Sequence, residues 1–228
     1  MPRASHSKSH TLERQLLQDG AAALGLRLLE SQVQAFITYL ELLTRWNERV
    51  NLTSIRDPGD IIRLHFFDSL AILPSLGSAS SMIDIGSGAG FPGIPIQIIY
   101  PDKEICLLEA RRKRASFLQE IRRQLQLRNL QIHTARAETM NGKSMRSFEE
   151  AVTRATVNLP EFLRLCEPWL SPGGRALFMG GPKGTGIYED PWVKKQALEI
   201  GFKPNRLLTY SLPLGDERRT LLIFTKLG

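Results

Sequence analysis

Cysteine is scarce in this chain of 228 residues: Cys106 and Cys166 are the only two. One falls in a strand-like run and the other in a helix-like one. They read as small buried hydrophobes rather than a disulfide or a metal-binding pair, and no metal is expected. Long apolar runs are missing too. No stretch approaches the roughly 18 residues that a membrane-crossing helix needs, and the opening Met1-Pro2-Arg3-Ala4-Ser5-His6-Ser7-Lys8-Ser9-His10 has no apolar segment of the secretory kind. A cytoplasmic protein with no membrane partner is expected, and since no feature marks an obligate interface, a monomer. Acidic residues are outnumbered: 30 Lys and Arg face 23 Asp and Glu, for a net charge of +7. That balance, with a pI near 9.7, suits a polyanionic partner.

With 42% hydrophobic residues the chain can build the core of one moderately large domain with an N-terminal addition. Residues 1–10 are polar, basic and without periodicity, and read as a disordered tail. Residues 11–80 read as a helical region and 81–228 as the main sheet domain, forming one unit with the helices. Residues 11–29 are helical in composition, and Ser31 with Gln34 makes a capping box for the next helix. There Val33, Phe36, Ile37, Leu40, Leu43 and Val50 recur at three and four residues as one core-facing stripe. Asp57 and Pro58 supply the cap and first turn of a third helix carrying Ile61, Ile62, Phe66, Leu70 and Ile72.

The most informative stretch is Met82-Ile83-Asp84-Ile85-Gly86-Ser87-Gly88-Ala89-Gly90-Phe91-Pro92-Gly93. A short apolar run and then a burst of glycines predict a buried strand that turns sharply into a helix, with Pro92 in the first helical turn. Gly86, Gly88 and Gly90 remove Cβ atoms where a bound molecule would meet the backbone. Gly88, Gly90 and Gly93 also satisfy the dinucleotide pattern G-x-G-x-x-G, so a nicotinamide dinucleotide must be weighed. A second strand, 105–108, ends on Glu109, where a carboxylate could accept hydrogen bonds from the ribose hydroxyls of either NAD or S-adenosylmethionine. Asp84 favours the second ligand. A pyrophosphate prefers an N–H-rich helix start, whereas a carboxylate beside the loop suits a cationic amino group and a sulfonium.

Downstream, Arg111, Arg112, Lys113 and Arg114, followed by Arg122, Arg123 and Arg128, give a helix a basic face bordering the proposed site, fit to hold nucleic-acid phosphates. A third strand at 130–134 leads to Ala135-Arg136-Ala137-Glu138, placed to border an adenine. A fourth strand at 150–152 ends on Thr153-Arg154-Ala155, and Arg154 would face the cofactor crevice if the strand order reverses between strands one and four. A helix at 159–170, a tight turn at Ser171-Pro172-Gly173-Gly174, a fifth strand at 175–179 and an antiparallel pair at 206–210 and 220–225 complete a seven-stranded doubly wound sheet. The segment after the fourth strand is Thr153-Arg154-Ala155-Thr156, not the Asp/Asn-Pro-Pro-aromatic element of exocyclic-amine methyltransferases. Neither cysteine lies in a loop at the crevice, which argues against a cysteine-nucleophile methyltransferase.

Taken jointly, Trp46-Asn47 with Asn51-Leu52-Thr53-Ser54-Ile55-Arg56-Asp57-Pro58, His65-Phe66-Phe67-Asp68-Ser69-Leu70, the glycine segment from Asp84 to Gly93, Lys113-Arg114, Arg136-Ala137-Glu138, Thr153-Arg154-Ala155 and Glu217-Arg218 resemble the RsmG (GidB) family. The resemblance runs in one order from about residue 46 to 220. It implies an α/β class I S-adenosylmethionine-dependent methyltransferase with a Rossmann-like, seven-stranded, mostly parallel sheet and N-terminal helices. Its activity would be methylation of N7 of a guanine in the decoding-region loop of bacterial 16S rRNA, with that RNA or the small ribosomal subunit as partner. By the resemblance Gly86 and Phe91 contact the cofactor, Ala137 and Glu138 flank its adenine and Arg154 completes the pocket; Gly88 and Glu109 join them from the residue reading. Asn51, His65, Arg136 and Arg218 occupy substrate or active-site positions. Lys183 is a further candidate, but Gly180-Gly181-Pro182 precede Lys183-Gly184 where the family often has Lys-Gly directly after the strand, and Leu64 stands where the family commonly has Arg beside the histidine, with Arg63 one residue earlier. Guanine N7 already carries a lone pair, so no general base is expected. The site must align nucleophile, methyl and sulfur, and Arg154 or Arg218 is expected to orient the base through O6, leaving N7 free.

Overall fold

Helix α1 (Thr11–Ala23) ends six residues short of the expected boundary because Gly25 turns left-handed (φ 73). The amides of Gly25 and Leu26 then return to the carbonyls of Ala22 and Ala21, at 2.9 and 2.8 Å. The expected capping box at Ser31 and Gln34 does not form. Leu29 is the extended cap residue of α2 (Glu30–Val50), and the Gln32 side chain accepts its N–H at 2.9 Å. The next helix starts as expected: Asp57 accepts the N–H of Asp60 at 2.9 Å and Pro58 opens α3 (Pro58–Ile61). A π-helical turn, Ile62–Phe66, then runs into α4 (Phe67–Ala71). The computed structural model describes residues 10–137, 147–154 and 157–228; the expected N-terminal tail up to residue 9, Glu138, Ala155 and Thr156 lie outside the described residues.

The sheet has the order β3-β2-β1-β4-β5-β7-β6. Its parallel part consists of β1 (Ser81–Ile85), β2 (Glu104–Leu108), β3 (Leu130–His133), β4 (Phe148–Arg154) and β5 (Leu170–Gly180). β7 (Arg218–Lys226) runs antiparallel between β5 and β6 (Phe202–Ser211). The seven strands and the reversal between β1 and β4 are as expected, so the crevice for ligand lies beyond the carboxyl ends of those two strands. Several boundaries shift, and two of the shifts have a clear cause. Pro168 stops α7 at Cys166 (Leu159–Cys166), and a short 3-10 turn, Glu167–Trp169, follows. The expected tight turn at Ser171–Gly174 is a bulge inside β5: pairing moves from Phe148↔Leu170 to Glu150↔Arg175.

β1 is buried along its whole length, as a strand covered on both faces must be. Met82 joins a core with Leu17 of α1, Phe36 and Leu40 of α2 and Phe66 of the π-helical turn, together with Ile94 of α5 (Gly93–Ile99) and Leu118 of α6 (Arg112–Gln124). Ile83 joins the opposite core with Phe162 and Leu163 of α7 and Ala197 of α9 (Pro191–Ile200), which follows the short α8 (Gly184–Glu189). Cys106 and Cys166 are buried and unbonded to each other. Among the described residues, no helix is long and apolar enough to cross a membrane, and no group of three His, Cys, Asp or Glu could hold a metal.

Candidate active site

The turn after β1 is held by carboxylates. Gly86 and Ser87 donate their amides to the carbonyl of Leu108 at 2.9 and 3.2 Å, which draws the chain across the end of β2. Glu109 then accepts Gly88 N–H at Oε2 (2.9 Å) and Arg111 N–H at Oε1 (2.7 Å). Asp84 accepts Gly93 N–H at Oδ2 (2.9 Å), so Pro92 takes the cap position rather than the first helical turn. These contacts decide between the two ligands. The amide opening α5, which would have to serve a pyrophosphate, is already given to a carboxylate of the protein. Asp84 is fully buried and its Oδ1 has no partner. Burial raises its pKa to about 7 against the opposing pull of the Gly93 amide and Arg154. A half-paired buried carboxylate beneath the turn repels phosphate and favours a cation.

The glycines differ in what their missing Cβ atoms leave room for. At Gly88 (φ 58) an added Cβ would have nothing nearer than Arg114 Nη1, at 3.8 Å, so that side of the turn is open to a ligand. At Gly90 (φ 99) the Cβ would meet Ile94 Cδ1 at 2.4 Å and the Tyr39 hydroxyl oxygen at 2.8 Å. Gly90 therefore makes room for the protein itself. Tyr39 needs that room, because its hydroxyl donates to the Ala89 carbonyl at 2.6 Å and pins the turn from below.

An apolar hollow of about 200 Å³ adjoins the turn, lined by Gly86, Leu108, Ala110, Ala135, Arg136 and Ala137. Its small side chains suit a flat purine, and Glu109 stands between Leu108 and Ala110 with lone pairs left for hydroxyl donors. Purine-sized apolar walls, the Glu109 carboxylate at the end of β2 and a buried carboxylate in place of an anion hole fit S-adenosylmethionine. Arg136, expected among the catalytic residues, is exposed and lines this cofactor-side hollow instead.

A second hollow of about 360 Å³ lies where α4 meets the ends of β4 and β5; His65, Asp68, Arg154, Gly181 and Arg219 line it. Arg154 Nη2 lies 3.1 Å from His65 Nδ1. Nδ1 also lies 3.2 Å from the Leu64 carbonyl, but a guanidinium only donates, and its shorter, charged contact makes Nδ1 the acceptor, leaving the ring proton on Nε2 to donate to Thr53 Oγ1 at 2.9 Å. Burial, reinforced by Arg154, lowers the pKa of His65 to about 3. The imidazole is neutral, with both nitrogens engaged. Asp68 accepts a hydrogen bond from Tyr210 Oη at 3.0 Å and forms ion pairs with Arg154 and Arg219, each at 3.6 Å.

Of the expected substrate-side residues, His65 lies in this crevice and Asn51, Lys183 and Arg218 do not. Asn51 is exposed and closes α2 in a left-handed conformation (φ 50), a role its short amide tolerates. Lys183 is exposed at the start of α8. Arg218 is exposed and lines a neighbouring hollow with Thr185, Thr209 and Ser211. Among the expected cofactor residues, Phe91 is 4% exposed. Its ring packs between Tyr39 and His65, centroids 5.3 and 4.7 Å away, with the Arg154 guanidinium 4.9 Å above it. Any cofactor contact at Phe91 therefore falls to its backbone, and Arg154 braces the floor of the crevice. Arg219, Thr53 and Tyr210 were not expected; strand alternation between Arg218 and Arg219 was the available signal for the first.

A reversed strand order with a carboxylate-held glycine turn at the switch point defines the class: an S-adenosylmethionine-dependent methyltransferase of the class I fold. The structure resembles a SAM-dependent methyltransferase from Aquifex aeolicus, with a TM-score of 0.55 at 14% identity over 76% of this chain and 96% of that one. It also resembles TrmN from Thermus thermophilus, with a TM-score of 0.53 at 19% identity over 70% of this chain and 48% of that one. Within that class the chain belongs to the GidB family, rRNA small subunit methyltransferase G, whose family model matches residues 32–197. It is 36% identical over 217 residues to ribosomal RNA small subunit methyltransferase G of Acetivibrio thermocellus, covering 93% of this chain and 88% of the relative. The Roseiflexus sp. protein of the same name is 38% identical over 93% of this chain and 91% of the relative.

Proposed function

We propose that this protein transfers the methyl group of S-adenosylmethionine to N7 of a guanine in the decoding-region loop of 16S rRNA. The observation that carries the choice of N7 is the state of His65. A neutral imidazole with a pKa near 3 and both nitrogens engaged cannot take a proton, and the Asp68 carboxylate beside it is held by Tyr210, Arg154 and Arg219. The acceptor atom must then bring its own lone pair, as guanine N7 does, whereas an exocyclic amine or a hydroxyl has a proton to lose. Bound S-adenosylmethionine supplies a methyl made electrophilic by its sulfonium. The protein's part is placement: Glu109 holds the ribose, the hollow around Ala137 takes the adenine, Asp84 favours the cationic end, and the floor of His65, Phe91 and Arg154 keeps water from beneath the incoming base.

Asn51, Arg136, Lys183 and Arg218 lie outside the methyl-transfer crevice and act as contacts to the RNA or its surroundings. The protein works as a cytoplasmic monomer and uses no metal. Purified protein with labelled S-adenosylmethionine and small-subunit RNA or particles should place the label in 7-methylguanosine at one loop nucleotide. Label on another atom, or none in that RNA, would overturn the proposal.

A further inference from the structure

The cations around the crevice differ in how many hydrogen-bond donors they have left. Arg154 gives Nη2 to His65 Nδ1 and Nη1 to the Leu64 carbonyl at 3.3 Å, and packs on Phe91. Arg63 is paired with Glu217 and Asp60. Arg218 and Lys183 do not line this hollow. Arg219 does, and it also lines the neighbouring hollow, so it stands where a base entering from that side must pass. Its Nε lies 3.6 Å from Asp68 and its Nη1 donates to the Arg218 carbonyl at 3.1 Å. Among the described residues Nη2 has no hydrogen-bond partner.

We propose that Arg219 is the guanine-reading residue of this site and donates through Nη2 to O6 of the target base. The inference rests on the guanine N7 reading above. An arginine commonly grips guanine at O6 and N7 together, which would occupy the nucleophile. Here the fork is already divided, with Nε toward Asp68 and Nη1 on the Arg218 carbonyl. Nη2 is the one nitrogen of the fork that faces no protein acceptor among the described residues, so O6 can be held from it while N7 stays free. Asp68 has a second consequence. The purine gains positive charge as its N7 is alkylated, so a bare guanidinium beside it would oppose the reaction; the carboxylate facing both Arg154 and Arg219 offsets that charge.

The test is a cycle of two changes in a model RNA loop: guanine to 2-aminopurine, which keeps N7 but lacks O6, and Arg219→Ala in the enzyme. Wild type should lose about 10- to 100-fold in kcat/KM on 2-aminopurine, the effect of one charged hydrogen bond. Arg219→Ala should lose a similar factor on guanine and little more on 2-aminopurine, because the contact is already gone; any intrinsic difference in N7 reactivity cancels in the cycle. Arg219→Gln, which keeps an N–H donor without the charge, should retain part of the preference and serves if the alanine variant fails to fold. Equal losses on both bases would mean that Arg219 acts through Asp68 or the crevice floor, and would overturn the inference. Wild type methylating both bases equally would overturn it too. Failure of wild type to form 7-methylguanosine on the guanine loop would instead sink the proposed function.

Discussion

Arg154 reaches from the end of β4 to His65 on the π-helical turn and donates to its Nδ1 at 3.1 Å. This contact and burial hold the ring neutral, with a pKa near 3. The unfolded chain protonates the same ring near pH 6.5. The folded-state pKa is depressed, so this contribution to stability is fully present above about pH 6.5 and is lost as pH falls toward 3, by up to about 1.4 kcal/mol per pH unit. Urea unfolding of wild type and His65→Gln across pH 7 to 5 should show a shallower loss in the variant. Identical slopes would mean that the ring titrates in the native protein as it does in the unfolded chain, with no depression of its pKa.

Asp84 titrates in the opposite sense. Its pKa is raised to about 7 by burial, so its contribution to stability is present below the usual carboxylate range and fades as pH rises through 7. For a cationic ligand the sign reverses, because the ionised carboxylate is the favourable form. Affinity for S-adenosylmethionine should therefore fall as pH drops below 7, by up to about tenfold per pH unit. Asp84→Asn should weaken binding at pH 8 and remove most of that dependence. Calorimetry at pH 6 and pH 8 checks both; a pH-independent wild type would separate Asp84 from ligand binding.

How much of this could be read beforehand depended on range along the chain. The glycine turn, Glu109 and the β1–β4 reversal follow from local patterns of apolar runs, breakers and spacing, and they appear where expected. The substrate crevice does not follow from local patterns, because its contacts join distant residues. Asp68 meets Tyr210 only once β6 is paired in register with β7, and that register, Tyr210↔Arg219 and Ser211↔Arg218, decides which of two adjacent arginines faces the crevice. A slip of one residue would exchange them. Phe91 was legible as important but not in its role, since a ring beside a glycine turn suits a ligand or a core equally. Tyr39, from α2, is what claims it for the core.

At the opposite end of the sheet, Glu150 is fully buried and pairs with Lys103 at 2.9 Å and with Arg175. Lys103 also donates to the Ala79 carbonyl, so the cluster anchors the segment that feeds β1. Glu150→Ala leaves a buried ammonium without its counter-charge and should cost about 3–5 kcal/mol. Arg175→Ala, which leaves the lysine pair intact and removes a half-exposed cation, should cost less. Denaturant midpoints rank the two, and cofactor affinity in the folded variants should be unchanged because the cluster is remote from the turn.

Arg218, exposed beside the hydroxyls of Thr185, Thr209 and Ser211 in a hollow with no carboxylate among its lining residues, has the surroundings of a backbone-phosphate contact. Such a contact adds affinity without reading sequence. Arg218→Ala should raise KM for RNA several-fold with kcat at saturation nearly intact, and should reduce the slope of log affinity against log salt by about 1. It should penalise guanine and 2-aminopurine loops alike. That uniformity separates it from Arg219, its neighbour on β7, whose loss should be selective for the base that carries O6. An unchanged salt slope would show that Arg218 meets no phosphate, and base-selective losses at both positions would show that the two arginines act as a pair on the purine.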